Sequence, residues 1–291
     1  MDYSWRTLIL QGHDSLSLKG EKLIIKDGDK EKSVQFDQIR EIFVLARCGT
    51  ISLPLMLEMS KRGKMIIFCD EAYNPISELM SMNINYEAAG RQMDQAKWTE
   101  RRADSVWAHI VRQKLKNQAE LLMRLCIPVP VSLNECIWSV QAGDPDNREG
   151  VGAKAYFSAL FGDDFVRHEK DDINSALDYG YAIIRSTVSR AITLCGCNPA
   201  LGIHHIGRQN PVNLSCDIME PFRPIVDRYV YTSKGKEFGL ERKFMLIGML
   251  QKDCLCDGKN VNLCEAIMTY TREVINAMNN GSHSLPEIRF D

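Results

Sequence analysis

The chain has 291 residues and a mass of 33.1 kDa, enough for one large domain or two ordinary ones. Its 45% hydrophobic and 25% charged residues are typical of a globular protein and exclude a disordered, collagen-like or coiled-coil chain. Because the formal net charge is −2, the chain as a whole has no attraction for nucleic acid or an anionic membrane. An anionic partner would therefore need a local basic surface.

The ten cysteines have no regular spacing and no CxxC pair, so we expect buried, reduced thiols. The first residues lack the basic and then apolar layout of a secretory signal. The apolar runs are shorter than the ~20 residues that a membrane span needs. These features predict a cytoplasmic protein that does not use the membrane.

The N-terminal part of the chain alternates apolar and polar residues over short stretches, which predicts strands. These stretches are 5–10, 23–26, 33–36 and 41–45, with a buried strand at 65–68. Turn residues such as those at 27–29 favour hairpins and antiparallel pairing. One helix is predicted over 52–62, where Gly63 is a candidate C-cap.

From Tyr86 the apolar residues recur every three or four positions, which predicts that the rest of the chain is mainly helical. One long helical stretch runs to about residue 125, and others are predicted at 132–141, 146–161, 173–193, 225–231 and 261–279. The sequence thus predicts an α+β protein. A small antiparallel β domain occupies residues 1–83, and a larger all-α domain occupies residues 84–291.

The helical stretch over 87–124 carries eight basic and five acidic residues. A solvated helix face with i, i+4 ion pairs would explain this excess of positive charge. A surface for nucleic acid would explain it too, so the pattern alone does not decide between them.

The common signatures of a phosphate-binding loop, a dinucleotide fold, an HExxH zinc site and a GxSxG serine nucleophile are absent from the sequence. With these signatures absent, Glu149 is a candidate catalytic or ligand-binding residue. It follows residues 144–147, which are typical of a helix start, and Gly152, Ala153 and Tyr156 share its helix face. Small residues on this face let a ligand or another helix approach the carboxylate. A purely structural role near the helix N-terminus is the alternative.

A second group combines His204 and His205, in a glycine-flanked segment, with Asp217 and Glu220. A single helical turn would point both carboxylates the same way, and such a pair needs a cation. Together with Glu149 these side chains form a hard, oxygen-rich donor set that suits Mg²⁺ or Mn²⁺ better than zinc. Three-residue spacing also arises by chance, so the pattern is weak without further support.

These segments resemble the Cas1 family of CRISPR-associated adaptation integrases, in the variants of type II systems. The resemblance covers essentially the whole chain and rests on WRT at 5–7, IIFCD at 66–70, NREG at 147–150, YF at 156–157, Asn174, LDYGY at 177–181, LGIHH at 201–205 and DIMEPFRP at 217–224.

The resemblance implies a metal site formed by Glu149, His205 and Glu220, with Asp217 assisting catalysis. His205 is chosen over His204 because the histidine of the family stands three residues after a glycine, here Gly202. Many relatives have aspartate where this chain has Glu220. The implied activity is that of a DNA integrase and endonuclease that uses Mg²⁺ or Mn²⁺. It joins the 3′-hydroxyl ends of protospacer DNA to the repeat array.

The resemblance also implies an N-terminal β-sandwich that forms a homodimer and a helical catalytic domain. Two dimers would join a small ferredoxin-like partner, Cas2, in a heterohexamer on double-stranded DNA. The type II effector nuclease and accessory adaptation proteins are further implied partners. Candidate DNA contacts are Tyr156, Lys154, Arg223, Arg101 and Arg102, and Arg223 has the alternative role of bracing its helix through Asp227.

Two other functions use the same residues. A metal-dependent nuclease of DNA repair or RNA processing would use water as the nucleophile in place of a 3′-hydroxyl. A non-catalytic DNA-binding scaffold would need no metal at the site.

Overall fold

The computed structural model describes residues 6–11, 15–45, 48–71, 73, 75–79, 81, 85–281 and 284–290. The chain forms two compact units, Met1–Tyr86 and Glu87–Asp291. The predicted boundary between residues 83 and 84 lies outside the described residues. So does Trp5, the first residue of the predicted N-terminal strand.

In its described residues, the first unit has two four-stranded sheets, one α-helix and a 3₁₀ turn at Phe36–Gln38. Its elements are β1 (Arg6–Leu10), β2 (Ser15–Lys19), β3 (Lys22–Asp27), β4 (Lys30–Gln35), β5 (Ile39–Val44), β6 (Thr50–Ile51), α1 (Leu53–Lys61), β7 (Met65–Cys69) and β8 (Pro75–Leu79). Both sheets and α1 contribute to one apolar core, which includes Leu23, Ile42 and Leu55. Helix α1 begins after Ser52, whose hydroxyl accepts a hydrogen bond from the backbone N–H of Leu55.

Antiparallel pairing was the right expectation for only part of this unit. The β4-β3-β2-β6 sheet is antiparallel apart from the short β2–β6 pair. In the β1-β5-β7-β8 sheet, β1, β5 and β7 run parallel, and only β8 is antiparallel to its neighbour. Parallel neighbours need long crossovers. Here β2 to β4 connect β1 with β5, and α1 lies between β5 and β7. Local sequence periodicity does not reveal that β1, β5 and β7 pair in parallel.

The second unit is mainly helical, as predicted. Its helices are α2 (Ala88–Gln95), α3 (Glu100–Arg124), α4 (Val131–Ser139), α5 (Arg148–Phe161), α6 (Asp172–Leu194), α7 (Asn213–Ile218), α8 (Arg223–Thr232), α9 (Leu240–Gly248) and α10 (Leu263–Asn280), with 3₁₀ turns at Glu220–Phe222 and Met249–Gln251. The long predicted helix is interrupted at residues 96–99, between α2 and α3. The α+β class is confirmed.

The second unit is not all-α, because it also contains an antiparallel three-stranded sheet. Its strands are β9 (Asp253–Cys256), β10 (Lys259–Asn262) and β11 (Ile288–Arg289), in the order β10-β9-β11. Asp257 and Gly258, both with positive φ, make the turn between β9 and β10. An Asp-Gly pair between short strands is a hairpin signal that the sequence analysis missed.

Helix α3 lies at the centre of the second unit. It contacts α4, α5, α8, α10 and the 3₁₀ turn Glu220–Phe222. Its buried residues follow helical spacing and include Trp107, Val111, Lys114 and Leu115. Segments that are far apart in the sequence therefore meet on one helix.

The ten cysteines are free thiols, but only five are buried, contrary to the expectation that all are: Cys48 and Cys126 are exposed, and Cys69, Cys195 and Cys216 are half-buried. Within the described ranges, no helix has both the length and the apolar character required to cross a membrane.

Helices α6 and α8 cross closely at Gly180. A Cβ atom at this position would lie 2.4 Å from Cγ1 of the fully buried Val226. Although alanine is the better helix former, we expect Gly180→Ala to lower the free energy of unfolding by about 1–3 kcal/mol, because the added methyl overpacks the crossing. Urea denaturation measures this change. The Gly180→Ala/Val226→Ala double variant should lose less than the two single variants together, and additive losses would contradict this account.

Candidate active site

Glu149 lies in the first turn of α5, where local sequence chemistry predicts it. The Asp144 carboxylate accepts hydrogen bonds from the backbone N–H of Arg148 at 2.8 Å and of Glu149 at 2.9 Å. Asn147 is the N-cap, with φ of 50°, and its side chain accepts from Gly150 N–H. These contacts satisfy backbone donors that would otherwise be unpaired at the start of the helix.

Glu220 opens the 3₁₀ turn between α7 and α8 and is buried. Its Oε1 lies 2.7 Å from Nε of Arg223, and its Oε2 lies 2.5 Å from Nζ of Lys114. Burial raises the pKa of this carboxyl, but the attraction of Arg223 and Lys114 outweighs burial and lowers the pKa to about 2. Glu220 is therefore ionised across the physiological pH range.

Lys114 joins Glu220 to Glu149. Its Nζ lies 2.6 Å from Oε1 of Glu149 as well as 2.5 Å from Oε2 of Glu220, and its side chain is 7% exposed. Burial lowers the pKa of Lys114, but the two carboxylates outweigh burial and raise the pKa above its usual value. The structure thus brings together two of the predicted ligands, Glu149 and Glu220, around one positive charge.

Asp217 forms a second pair with His205. Its fully buried carboxylate accepts hydrogen bonds from the backbone N–H groups of Ile203 at 2.6 Å, His204 at 3.1 Å and His205 at 3.0 Å. It also contacts Nδ1 of His205 at 2.6 Å. This hydrogen bond raises the pKa of His205, burial opposes it, and the charges of Asp217, Glu220 and Glu149 raise the pKa further.

The two histidines differ in their surroundings. The ring of His204 is stacked on Trp107 of α3, with the ring centroids 4.2 Å apart and the planes at 3°. His205 meets the same tryptophan edge-on and is oriented by Asp217. The backbone of this loop leaves no room for a side chain at Gly202, where a Cβ would lie 2.1 Å from the carbonyl oxygen of His205.

Tyr156 does not face a DNA surface. It is fully buried, and its hydroxyl donates to Asp227 of α8 at 2.9 Å. The hydroxyl of Tyr181 donates to the other oxygen of the same carboxylate. The predicted DNA contact at Tyr156 is therefore wrong for this conformation. The small residues beside Glu149 accommodate α3 instead, since a Cβ at Gly152 would lie 2.5 Å from Leu115.

The basic candidates divide into two groups. Arg101, Arg102 and Lys154 are all exposed, as a DNA contact requires. Arg102 differs from the other two because it also donates to the backbone oxygens of Met278 and Asn279 and caps the end of α10, and the predicted DNA contact at this residue stays a prediction.

Arg223 has a structural partner in its own segment. It pairs with Glu220 three residues earlier, and its guanidinium lies over the ring of Tyr181, 4.5 Å from the centroid. The alternative of bracing by an ion pair is therefore the better description of Arg223. Its hydrogen-bonded carboxylate is Glu220, whereas the sequence suggested Asp227.

The predicted donor set matches a divalent cation only in part. Among the described residues, no three His, Cys, Asp or Glu side chains converge closely enough to hold an ion. Glu149 and Glu220 nevertheless converge on the Lys114 ammonium, which stands in for a cation between two hard oxygen donors. Paired carboxylates are donors of the kind that Mg²⁺ or Mn²⁺ prefers, and the charges of both raise the pKa of His205.

Sequence reasoning missed Lys114, Trp107 and Asn117. All three are buried on α3, and the Asn117 amide donates to the backbone oxygen of Pro221 at 2.8 Å. A signal was present: Lys114 stands seven residues after Trp107 and four after Ile110, within the apolar stripe. A lysine at a core position of a helix indicates a buried acidic partner.

We expect Asp217→Asn to lower the free energy of unfolding by about 2–4 kcal/mol, because a neutral amide cannot replace a buried carboxylate that accepts several hydrogen bonds. The pKa of His205 should fall toward its usual value, because its strongest raising contact is lost. Chemical denaturation and an NMR titration of His205 measure the two effects. Asp94→Asn, at an exposed position of α2, is the matched control. An unchanged His205 pKa in Asp217→Asn would contradict this role.

A separate pH effect follows from Asp227. Burial raises its pKa to about 6, although hydrogen bonds from Tyr181 and Tyr156 oppose the shift. Between the lower pKa of the unfolded chain and about 6, the folded protein keeps a proton that the unfolded chain releases, so rising pH reduces stability.

Asp227→Asn removes this titration. From pH 4 to pH 7.5, we expect the wild type to lose about 2 kcal/mol of stability relative to the variant. Urea denaturation of both proteins across this range measures the difference between their free energies of unfolding. The pH effects that the two proteins share cancel in this difference. A constant difference would mean that Asp227 titrates normally.

Comparisons with known proteins agree with this architecture. The profile of the family described as CRISPR associated protein Cas1 matches residues 8–128 and 147–244. The CRISPR-associated endonuclease Cas1 of Neisseria meningitidis serogroup C (strain 8013) is 34% identical over 229 residues, which cover 77% of this chain and 74% of the relative.

Two solved structures share the fold. A casposase bound to integration product has a TM-score of 0.71 and 20% identity, with 96% of this chain and 92% of the casposase chain covered. A chain of a Cas6-RT-Cas1--Cas2 complex has a TM-score of 0.72 and 19% identity, with 98% of this chain and 36% of that chain covered. The family profile and the meningococcal relative confirm the predicted resemblance, and the chain belongs to the Cas1 family.

Proposed function

We propose that this protein is a metal-dependent DNA integrase and endonuclease of CRISPR spacer acquisition. Its integrase reaction would join the 3′-hydroxyl ends of protospacer DNA to the repeat array by transesterification. The observation that carries the proposal is the convergence of Glu149 and Glu220 on one cationic group, while the charges of both carboxylates also raise the pKa of His205, the histidine held by Asp217.

Mg²⁺ or Mn²⁺ would be held by Glu149, Glu220 and His205. When bound, the ion supplies a Lewis acid that polarises a DNA phosphate and lowers the pKa of the attacking hydroxyl. Because Asp217 engages Nδ1 of His205, Nε2 is the ring nitrogen for a ligand. Asp217 is thus a positioning residue, which fixes both the loop backbone and the imidazole.

The segment around Glu220 keeps its carboxylate in place. Arg223 engages Oε1, and Asn117 holds the next residue, Pro221, through its carbonyl oxygen. A carboxylate fixed in this way needs little reorganisation when charge develops on a phosphate. With water in place of the 3′-hydroxyl, the same site would cleave DNA, so cleavage and strand transfer would share one set of residues.

Double-stranded DNA is the proposed substrate, with Arg101, Arg102 and Lys154 as exposed contacts to phosphate. The casposase bound to integration product and the Cas6-RT-Cas1--Cas2 complex support DNA and Cas2 as partners. We further propose a homodimer that joins Cas2 in a heterohexamer, with the type II effector nuclease and accessory adaptation proteins as additional partners.

The test uses the two neighbouring histidines. We expect His205→Ala to abolish both Mn²⁺-dependent cleavage and strand transfer without unfolding the protein, because a metal ligand is lost. His204→Phe should keep both activities, since a flat ring can still stack on Trp107. Gel assays with labelled DNA and the melting temperature of each variant provide the measurements. Full activity of His205→Ala would refute the ligand assignment.

A second assay separates integration from the alternative functions. Strand transfer requires a donor with a free 3′-hydroxyl, so a donor with a blocked 3′ end should give cleavage of target DNA but no joined product. Cleavage with no joined product from either donor would favour a nuclease of repair or RNA processing. Neither product, with no Mn²⁺ binding, would favour a non-catalytic scaffold.

A further inference from the structure

The Lys114 ammonium occupies the space between the two carboxylates proposed as metal ligands. It contacts Oε1 of Glu149 at 2.6 Å and Oε2 of Glu220 at 2.5 Å. The Lys114 side chain is 7% exposed and that of Glu220 is 2% exposed. Lys114 is therefore an internal part of the site, although it is one of the eight basic residues of the stretch 87–124.

We propose that Lys114 is an exchangeable counter-ion of the metal site, which must withdraw before a divalent ion can bind both carboxylates. The inference rests on the proposed function, because it assumes that Glu149 and Glu220 bind the metal. It adds a further residue to the site and a step that precedes catalysis.

The oxygens of Glu220 indicate where the exchange takes place. Arg223 engages Oε1, so Oε2 is the oxygen left for a metal, and this is the atom that Lys114 contacts. Mg²⁺ binds carboxylate oxygen at ~2.0–2.1 Å, a shorter distance than that of the ammonium contact. An ammonium and a divalent ion in contact with the same oxygens would repel each other strongly at low dielectric. The two cations therefore exclude each other.

The counter-ion gives the metal-free protein a stable site. Without Lys114, the negative charges of Glu149 and Glu220 would face each other at a largely buried position, and the ion pair between Arg223 and Glu220 would have to balance both. Buried like charges are costly unless a cation neutralises them. The flexible four-carbon stem of lysine allows its charged end to move while α3 stays in place.

The experiment compares Mn²⁺ binding by the wild type with binding by Lys114→Met and Lys114→Gln. Methionine keeps the length of the stem, and glutamine keeps a polar end that can donate to a carboxylate. Calorimetric titration with MnCl₂ should give an affinity at least about tenfold tighter for both variants, because no ammonium has to be displaced. Lys116→Met, at an exposed position of the same helix, should bind Mn²⁺ as the wild type does.

Thermal melting in EDTA and in Mn²⁺ provides a second readout. Lys114→Met should melt below the wild type in EDTA and recover when Mn²⁺ neutralises the two carboxylates. In the wild type, lysine acetylation followed by mass spectrometry should label Lys114 more in Mn²⁺ than in EDTA, with Lys116 labelled equally in both. This readout does not depend on whether a variant folds.

The outcomes distinguish the two proposals. If the wild type binds no Mn²⁺, the proposed metal site fails. If the wild type binds Mn²⁺ but both Lys114 variants bind it equally or more weakly, and Lys114 labelling does not change, the exchange is refuted while the metal site stands.

Discussion

The second unit depends on the ion cluster of Glu149, Lys114, Glu220 and Arg223. Two carboxylates can lie at a largely buried position only because two cations neutralise them. Replacing one member would leave an unpaired charge inside the protein, which costs more than the loss of an exposed ion pair. The cluster also joins three helical segments, so the arrangement that stabilises the fold is the one that sets the spacing of the proposed ligands.

Helix α3 explains how distant segments reach one place. Trp107 holds the histidine loop by stacking, Lys114 contacts the carboxylates, and Asn117 binds the backbone of the turn at Pro221. These residues occur at helical spacing on one buried face. Helix α3 is therefore a rigid element that contacts three separate stretches of sequence and fixes their relative positions. Rigid elements place site residues more precisely than loops.

The sequence predicted features that depend on local chemistry. Glu149 could be placed because the capping residues Asp144 and Asn147 precede it, and the mainly helical second unit could be predicted from its apolar period. The parallel pairing of β1, β5 and β7 could not, since it depends on crossovers and long-range register. The buried position of Lys114 could not be predicted from a charge count, because such a count treats every lysine as exposed. Tyr156 was misassigned because its partner, Asp227, lies 71 residues away.

The tight packing around Gly202 affects how mutational data at this position are interpreted. A side chain there would collide with the His205 carbonyl oxygen and with a carboxylate oxygen of Asp217. Any other residue type must displace the loop that carries both imidazoles. In a saturation scan this position would score like a reactive residue although glycine has no functional group, so intolerance to substitution in this loop measures available space as well as chemistry.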